Sequence, residues 1–325
     1  MRTRHMGAWV GLAGLLSVHG AATAQPAFPT RPISLIVPAP PGGGTDVFAR
    51  LLGEMVEGAL KQKVVIENRA GAGGSLGVTQ ITTANADGHT LGFIWNSPLT
   101  ASPQTLAVSY TPDSYRPLLS IGYSSYVLCA QPAFAANNAK EMIEQIKAAN
   151  GKLTYGNDGV GGTMQLAAER VFKKLGVKVR AIPFGGAGET AKNFLGGHVD
   201  FYGGGLPAII PHVAAGKAKC LLLTSAKGND ALPKAQGLDA IGLGGEETVL
   251  WWGLIAPAKI PDAVAKQLGQ VFAEAANSAR FKEAMAKQGA VHRVLDGAAT
   301  DKLIRTELAA MTDVARDAGI QRKAQ

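Results

Sequence analysis

Beyond its first residues, this sequence has no apolar run long enough to cross a membrane. The longest, Val249 to Ala258, has 10 residues and contains Gly253 and Pro257, whereas a span needs about 20 apolar residues. It is expected as a buried strand. Basic clusters are missing too. The 32 Lys and Arg residues are scattered singly, without the interleaved aromatics of a nucleic-acid surface, which argues against a nucleic-acid partner. Past the leader the histidines are His89, His198, His212 and His292, with no His-x-x-x-His or paired-Cys spacing, so no metal site is expected. Gly42-Gly43-Gly44 and Gly71-Ala72-Gly73 both lack the final glycine of a dinucleotide-binding turn, so no nucleotide or other cofactor is expected. Cys129 and Cys220 are the only cysteines, each in an apolar segment. They permit one disulfide, if their Cα atoms lie within about 7 Å, or two buried thiols.

What is present starts with an export signal. Arg2 and Arg4 precede an apolar run from Met6 to Val18, and Ala22-Thr23-Ala24 has the small-x-small pattern of a cleavage site. Residues 1–24 are therefore expected to be a signal peptide, cleaved before Gln25, and the mature chain to be a soluble periplasmic protein. Removing 24 of 325 residues leaves 301, enough for two lobes with a cleft between them. Losing Arg2 and Arg4 lowers the formal net charge of +8 by two, and the remaining positive balance favours anionic ligands.

The mature sequence alternates short β-branched runs, glycine-rich turns and amphipathic segments, the pattern of βα units around a mostly parallel sheet. Ile33 to Val37 is the first expected strand; Pro41 to Gly44 is a turn; from Thr45, the positions Phe48, Leu51, Leu52, Met55, Val56, Ala59 and Leu60 repeat with helical spacing. Thr45 or Asp46 is expected to cap that helix. The unit recurs with Val64 to Glu67 as strand, Gly71 to Gly74 as turn and Ser75 to Thr83 as helix, then Thr90 to Trp95 as strand. Leu153 to Gly156, a Gly159 to Gly162 loop, a helix through Met164 to Leu175 and a strand from Val177 to Ile182 repeat the logic. The tail from Pro261 to Gly319 is expected to be mainly helical. No low-complexity linker is present, so the lobes must be joined by crossing strands, with Tyr126 to Cys129 and Cys220 to Thr224 as the candidates.

Glycine-rich turns feeding a helix occur at Gly42 to Asp46, Gly71 to Ser75 and Gly156 to Thr163. Such a turn lets backbone N–H groups converge on an anion, and the helix start adds a partial positive charge. Glycines also simply make tight turns. On the residues alone, three such loops in different units leave both readings open, tight turns or a shared cleft.

At this point particular stretches resemble a known family. Phe28-Pro29-Thr30-Arg31-Pro32-Ile33, Pro40-Pro41-Gly42-Gly43-Gly44-Thr45-Asp46 with Ala49-Arg50, and Val64-Val65-Ile66-Glu67-Asn68-Arg69-Ala70-Gly71-Ala72-Gly73-Gly74 resemble the opening of the Bug family. These are the TctC-like substrate-binding receptors of tripartite tricarboxylate transporters. The resemblance continues through Asp87 to Leu91, Gly151 to Gly156, Leu195 to Asp200 and Trp252 to Pro257, in order along the mature chain. It implies a type II periplasmic-binding-protein fold of class α/β, with two α/β lobes joined by crossing strands and a ligand cleft between them. Lobe 1 would comprise residues 25–126 plus 224–325 and lobe 2 residues 127–223. The receptor would be a monomer that captures a small organic carboxylate and delivers it to integral-membrane transporter subunits.

Carried onto this chain, the resemblance gives Pro40, Gly42, Gly43, Gly44, Thr45 and Asp46 as carboxylate anchors on one lobe. Gly156, Asn157, Gly159, Gly161 and Thr163 lie on the other, and Asn96 and Ser97 follow a strand. The departures from the pattern are further candidates. Gln165 stands where histidine is usual, Phe184-Gly185-Gly186 replaces Tyr-Lys-Gly, Tyr202-Gly203-Gly204-Gly205 is unusually glycine-rich, and Met311 replaces a tryptophan. The extra glycines, Gly185 and Gly203 among them, either leave room for a bulkier or less charged ligand or only make turns. Asp46 would repel a carboxylate, so it is expected to cap the helix, with an amine-bearing ligand as the alternative partner.

Two other readings come from the residues. Gly73-Gly74-Ser75-Leu76-Gly77 has the G-x-S-x-G spacing of a serine-hydrolase elbow, but the turn from Arg69 is long and no histidine has a distinctive base context. No enzymatic activity is expected. A sensor receptor feeding a membrane kinase would have the same sequence features as an uptake receptor. Trp251 and Trp252 lie in an apolar strand and are expected in the core rather than against a ligand.

Overall fold

The computed structural model describes residues 28–322. The expected signal peptide and its cleavage site lie outside the described residues. β1 (Ile33–Val37), whose apolar side chains are buried, is hydrogen-bonded on either side to β2 (Val64–Asn68) and β3 (Thr90–Trp95), both parallel to it. Parallel neighbours need long crossovers, and these are α1 (Gly44–Leu60) and α2 (Ser75–Thr83). Two short helices, α3 (Ser97–Thr100) and α4 (Ser102–Thr105), lead towards β4 (Tyr115–Ala130).

β4 organises the molecule. From Tyr115 to Ser125 it pairs antiparallel with β9 (Val249–Pro257), and around Leu119 to Tyr123 also with β10 (Val291–Asp296). From Tyr126 to Ala130 it pairs with β7 (Phe201–Gly205) and β8 (Lys219–Leu223). β7 continues to β5 (Thr154–Asn157) and β6 (Arg180–Pro183). The strand order is β2-β1-β3-β9-β4-β7-β5-β6, with β10 and β8 also on β4. The fold is α/β, with two sheets joined through β4.

The second sheet is flanked by α5 (Ala139–Ala149), α6 (Thr163–Leu175) and α7 (Ala187–Leu195), with α8 (Ile210–Ala214) ahead of β8. The tail forms α9 (Asp262–Asn277), α10 (Ala279–Lys287) and α11 (Gly297–Ala318). β10 interrupts this expected helical tail. Its Val-His-Arg-Val-Leu-Asp run is half-exposed, and pairing to β4 rather than burial periodicity makes it a strand.

Of the two expected crossings, β4 passes from one sheet to the other. β8 does not, because every pairing it makes is in the second sheet. The return runs through residues 224–248. Thr224 N–H donates to Tyr126 O (2.9 Å), Tyr126 N–H donates to Thr224 Oγ1 (3.0 Å), and Thr248 N–H donates to Thr224 O (2.9 Å). Between them the chain packs on the second lobe: Gln236 N–H donates to Leu221 O (3.0 Å), and Arg170 on α6 donates to Glu246 O (2.5 Å). Cys129 and Cys220, register partners on β4 and β8, form a disulfide, which resolves the alternative of two thiols.

Apolar helix faces close both sheets. Phe48, Leu52 and Val56 of α1 pack with Leu268 and Phe272 of α9 in the largest core cluster. Met311 and Ala315 of α11 pack with Ala101 and with Leu166 of α6, so the last helix touches both lobes. No described helix is long and apolar enough to cross a membrane.

Candidate functional site

The loop between β1 and α1 is clamped from behind. Arg50, one turn along α1, contacts both Asp46 carboxylate oxygens, through Nε (3.1 Å) and its second guanidinium nitrogen (2.9 Å). Asn68 at the end of β2 donates to Asp46 Oδ1 (2.9 Å) and to Ala39 O (2.9 Å), and Gly42 N–H donates to Asp46 Oδ2 (3.1 Å). Burial raises the Asp46 carboxyl, but the hydrogen bonds from Arg50, Asn68 and Gly42 outweigh it and hold it below the ordinary carboxylate range. Asp46 is thus saturated inside the protein. It is not the N-cap of α1; that residue is Gly43, with no side-chain bond. Nor is Thr45 the cap. Asp46 sits in the third helical position and reaches back to the residue before the cap.

The same device recurs at two more helices. α6 has Gly162 as N-cap, and Gln165 at its third position accepts from Gly161 N–H (2.7 Å). α7 has Gly186 as N-cap, and Glu189 accepts from Gly185 N–H (2.9 Å). The first intrahelical bonds of α1 and α7 are Val47 N–H to Gly43 O and Thr190 N–H to Gly186 O. The N–H groups of Gly44, Thr45, Ala187 and Gly188 therefore precede the helical ladder and are available to an anion.

The starts of α1 and α7, one from each lobe, border a shared cavity of about 30 Å³. Its wall includes Ala39, Pro40, Gly43, Gly44 and Thr45 from the first loop, Trp95 and Trp252 from β3 and β9, and Asp158, Gly186, Ala187, Gly205 and Pro207 from the other lobe. Among the described residues, no Lys, Arg or His lines it. Several buried polar groups in and behind the wall have no hydrogen-bond partner: Trp95 Nε1, Trp252 Nε1, Asn157 Nδ2, Thr163 Oγ1 and Asp158 Oδ1. Burial pushes the Asp158 carboxyl up to about 7, opposed only by its own backbone N–H.

The lobes are closed on one another. Thr163 N–H donates to Ser97 Oγ (3.0 Å) and Thr105 Oγ1 donates to Gly161 O (3.1 Å). A Cβ on Gly188 would lie 2.8 Å from Pro41 O and 3.0 Å from Gly43 N, and one on Gly159 (φ +143°) would lie 3.1 Å from Gly73 Cα. The two sides therefore touch backbone to backbone.

The residues expected from sequence divide accordingly. Pro40, Gly43, Gly44 and Thr45 reach the cavity wall. Gly42 and Asp46 stiffen the loop behind it. Ser97, Gly159, Gly161 and Thr163 sit at the closure contact, and Gln165 braces it. Asn157 uses Oδ1 to accept from Gly159 N–H (3.1 Å). Asn96 faces elsewhere, its amide donating to Val249 O (3.0 Å) and Glu307 Oε1 (2.6 Å). Burial raises the Glu307 carboxyl, against bonds from Trp251, Thr100 and Asn96. Gly156 packs against Phe184 and against Thr190 of α7, and Gly203 against Gly156 O and Met164 of α6, so the covering helices and their loops fill the space their missing side chains leave. A Cβ on Gly185 would meet Glu189 Oε2 at 2.6 Å. At Gly185 and Gly203 the missing side chains therefore open no space in the cavity wall, whereas Gly205 lines it.

Sequence reasoning missed Trp95, Asp158, Ala187, Gly205 and Pro207. Trp252 is fully buried in the main core, as expected, and also borders the cavity. Trp251, its neighbour on the opposite face of β9, donates to Glu307 (2.5 Å) and fits the core expectation. Ser75 is buried, and its side-chain bond is with Tyr110 (3.2 Å).

Residues 48–320 match the tripartite tricarboxylate transporter family receptor. The chain belongs to this receptor family. It is 29% identical over 325 residues to protein BugT of Bordetella pertussis strain Tohama I, covering 98% of this chain and 97% of that one. Its fold superposes on the periplasmic binding protein BugD with a TM-score of 0.83 at 28% identity, covering 91% and 100% of the two chains. A receptor of R. palustris, Rpa4515 with adipate, gives 0.86 at 25% identity, covering 90% and 99%. Within the receptor family's fold, the substituted positions have defined places: Gln165 on the backbone of its own loop, Met311 against Leu166.

Proposed function

We propose that this receptor binds a small organic carboxylate in the periplasm by closing its two lobes on it, and hands it to the membrane subunits of a tripartite tricarboxylate-type transporter. The observation that carries this is the pair of helix starts, α1 and α7, brought from opposite lobes to one cavity without a basic side chain in its wall. Backbone N–H groups and helix dipoles recognise an anion there. The adipate bound by the R. palustris relative is an anion of this class.

The cavity's 30 Å³ leaves no room for an organic acid, so a carboxylate enters only when the lobes part. Opening breaks the Ser97–Thr163 and Thr105–Gly161 bonds. Ligand contacts from both sides favour closure. We place the moving boundary at Ser125–Tyr126 on β4 and at Thr248 on the return, where the sequence-based expectation had 224. Residues 225–247 then travel with the second lobe, on which they pack. The receptor acts as a monomer, exported by its N-terminal signal.

A thermal-shift screen of the mature, refolded protein against mono-, di- and tricarboxylates tests this. A true ligand at 100 times its Kd adds about 2.7 kcal/mol of stability. A screen in which no organic acid raises Tm, while uncharged solutes do, overturns the proposal.

A further inference from the structure

Asp158 stands apart from every other carboxyl in the cleft. It is 5% exposed, lines the cavity, and its Oδ1 has no hydrogen-bond partner. Asp46, the acid singled out from sequence, is saturated by Arg50, Asn68 and Gly42 and has no capacity left for a ligand. A buried carboxylate is costly unless paired, and no cationic side chain among the described residues lines the wall. The same wall carries unpartnered donors of the opposite need, the indole N–H groups of Trp95 and Trp252.

A simple diacid satisfies the donors and the two helix starts but brings more negative charge to Asp158. A zwitterion satisfies both kinds of group. Trp95 and Trp252 add to this, because indoles attract ammonium groups through their electron-rich faces. Resting on the carboxylate reading above, we propose that the cleft takes an amino carboxylate, with its carboxylate at the starts of α1 and α7 and its ammonium on Asp158 beside Trp95 and Trp252.

Calorimetry with matched pairs tests it: succinate against aspartate, glutarate against glutamate, adipate against 2-aminoadipate, at about pH 8. The amino member of at least one pair is expected to bind at least about tenfold more tightly than its diacid. Asp158→Asn is expected to erase that preference while keeping the diacid's affinity or improving it. In the wild-type protein, affinity for the amino member is expected to rise from about pH 5.5 to about pH 8 as Asp158 ionises. The titratable groups its charge reaches are the phenols of Tyr126, Tyr155 and Tyr202, which burial holds neutral throughout. A diacid hydrogen-bonded by protonated Asp158 would show the opposite slope.

Diacids binding as well as amino acids in every pair, or affinity falling with pH, overturns the assignment and leaves the carboxylate receptor standing. If no member of any pair binds, the amino-carboxylate assignment falls, and the carboxylate reading is decided separately by the thermal-shift screen. The wild-type comparison and pH slope stand even if the variant fails to fold.

Discussion

Asp46, in the first turn of α1, and Asp158, in the glycine-rich loop before α6, have surroundings that drive them in opposite directions. Asp46 gathers a guanidinium, an amide and a backbone N–H, and is held ionised. Replacing it with alanine removes these bonds and leaves Gly42 N–H without its partner. Asp46→Ala is expected to lower stability by about 2 kcal/mol in urea denaturation and to weaken carboxylate binding about tenfold; unchanged affinity would mean the loop keeps its shape without the clamp. Asp158 has the reverse linkage. Its carboxyl is pushed from 3.8 up to about 7, so folding takes up a proton and the cost of this group grows as pH rises through that window. It is absent below about pH 4 and complete above about pH 7, at most on the order of 4 kcal/mol. Asp158→Asn is therefore expected to stabilise the unliganded protein at about pH 8 and to leave it unchanged near pH 4. Equal effects at both pH values would contradict a buried, unpaired acid.

Three helices, α1, α6 and α7, share one start: a glycine N-cap, with a side chain at the third position tied to the N–H before the cap. The device fixes the loop and, at α1 and α7, leaves the first-turn N–H groups free, whereas at α6 Thr163 N–H donates to Ser97. At α7 it also brings Gly188 against Pro41 and Gly43 of the opposite lobe. Gly188→Ala suits the helix but obstructs closure, so small-angle scattering is expected to show a larger radius of gyration with ligand and calorimetry at least about tenfold weaker binding. Normal compaction would show that the lobes close along another path. The alternation of β-branched runs and glycine turns made β1, α1, β3 and α6 legible beforehand, because a buried parallel strand and an amphipathic helix have different periods. β10 was not, since its side chains are half-exposed and its partner lies far back along the chain, with Gly122 of β4 facing His292. Trp95 and Asp158 escaped for a related reason: an aromatic in a strand looks like core and an acid in a glycine-rich loop looks solvated, and only the facing lobe turns them into a wall.

The two-lobed architecture came from family resemblance, whereas the point of return did not, because Thr224 and Thr248 meet only through hydrogen bonds with no hydropathy signature. The disulfide likewise depended on β4 and β8 becoming register partners across a separation of 91 residues. It lies wholly within the second lobe. Opening it removes a constraint on the unfolded chain worth roughly 4 kcal/mol in the chain-entropy view. Reduction, or a Cys129→Ala, Cys220→Ala double variant, is expected to lower Tm by several degrees with ligand affinity little changed; a large affinity loss at unchanged Tm would tie the bridge to the cleft instead. The central claim is that backbone N–H groups at two facing helix starts hold a carboxylate. Its most direct test is a crystal structure of the protein with its tightest-binding acid. The expected result places carboxylate oxygens about 3 Å from the N–H groups of Gly44 and Thr45, with the start of α7 closing over them. A ligand seated away from both helix starts contradicts it.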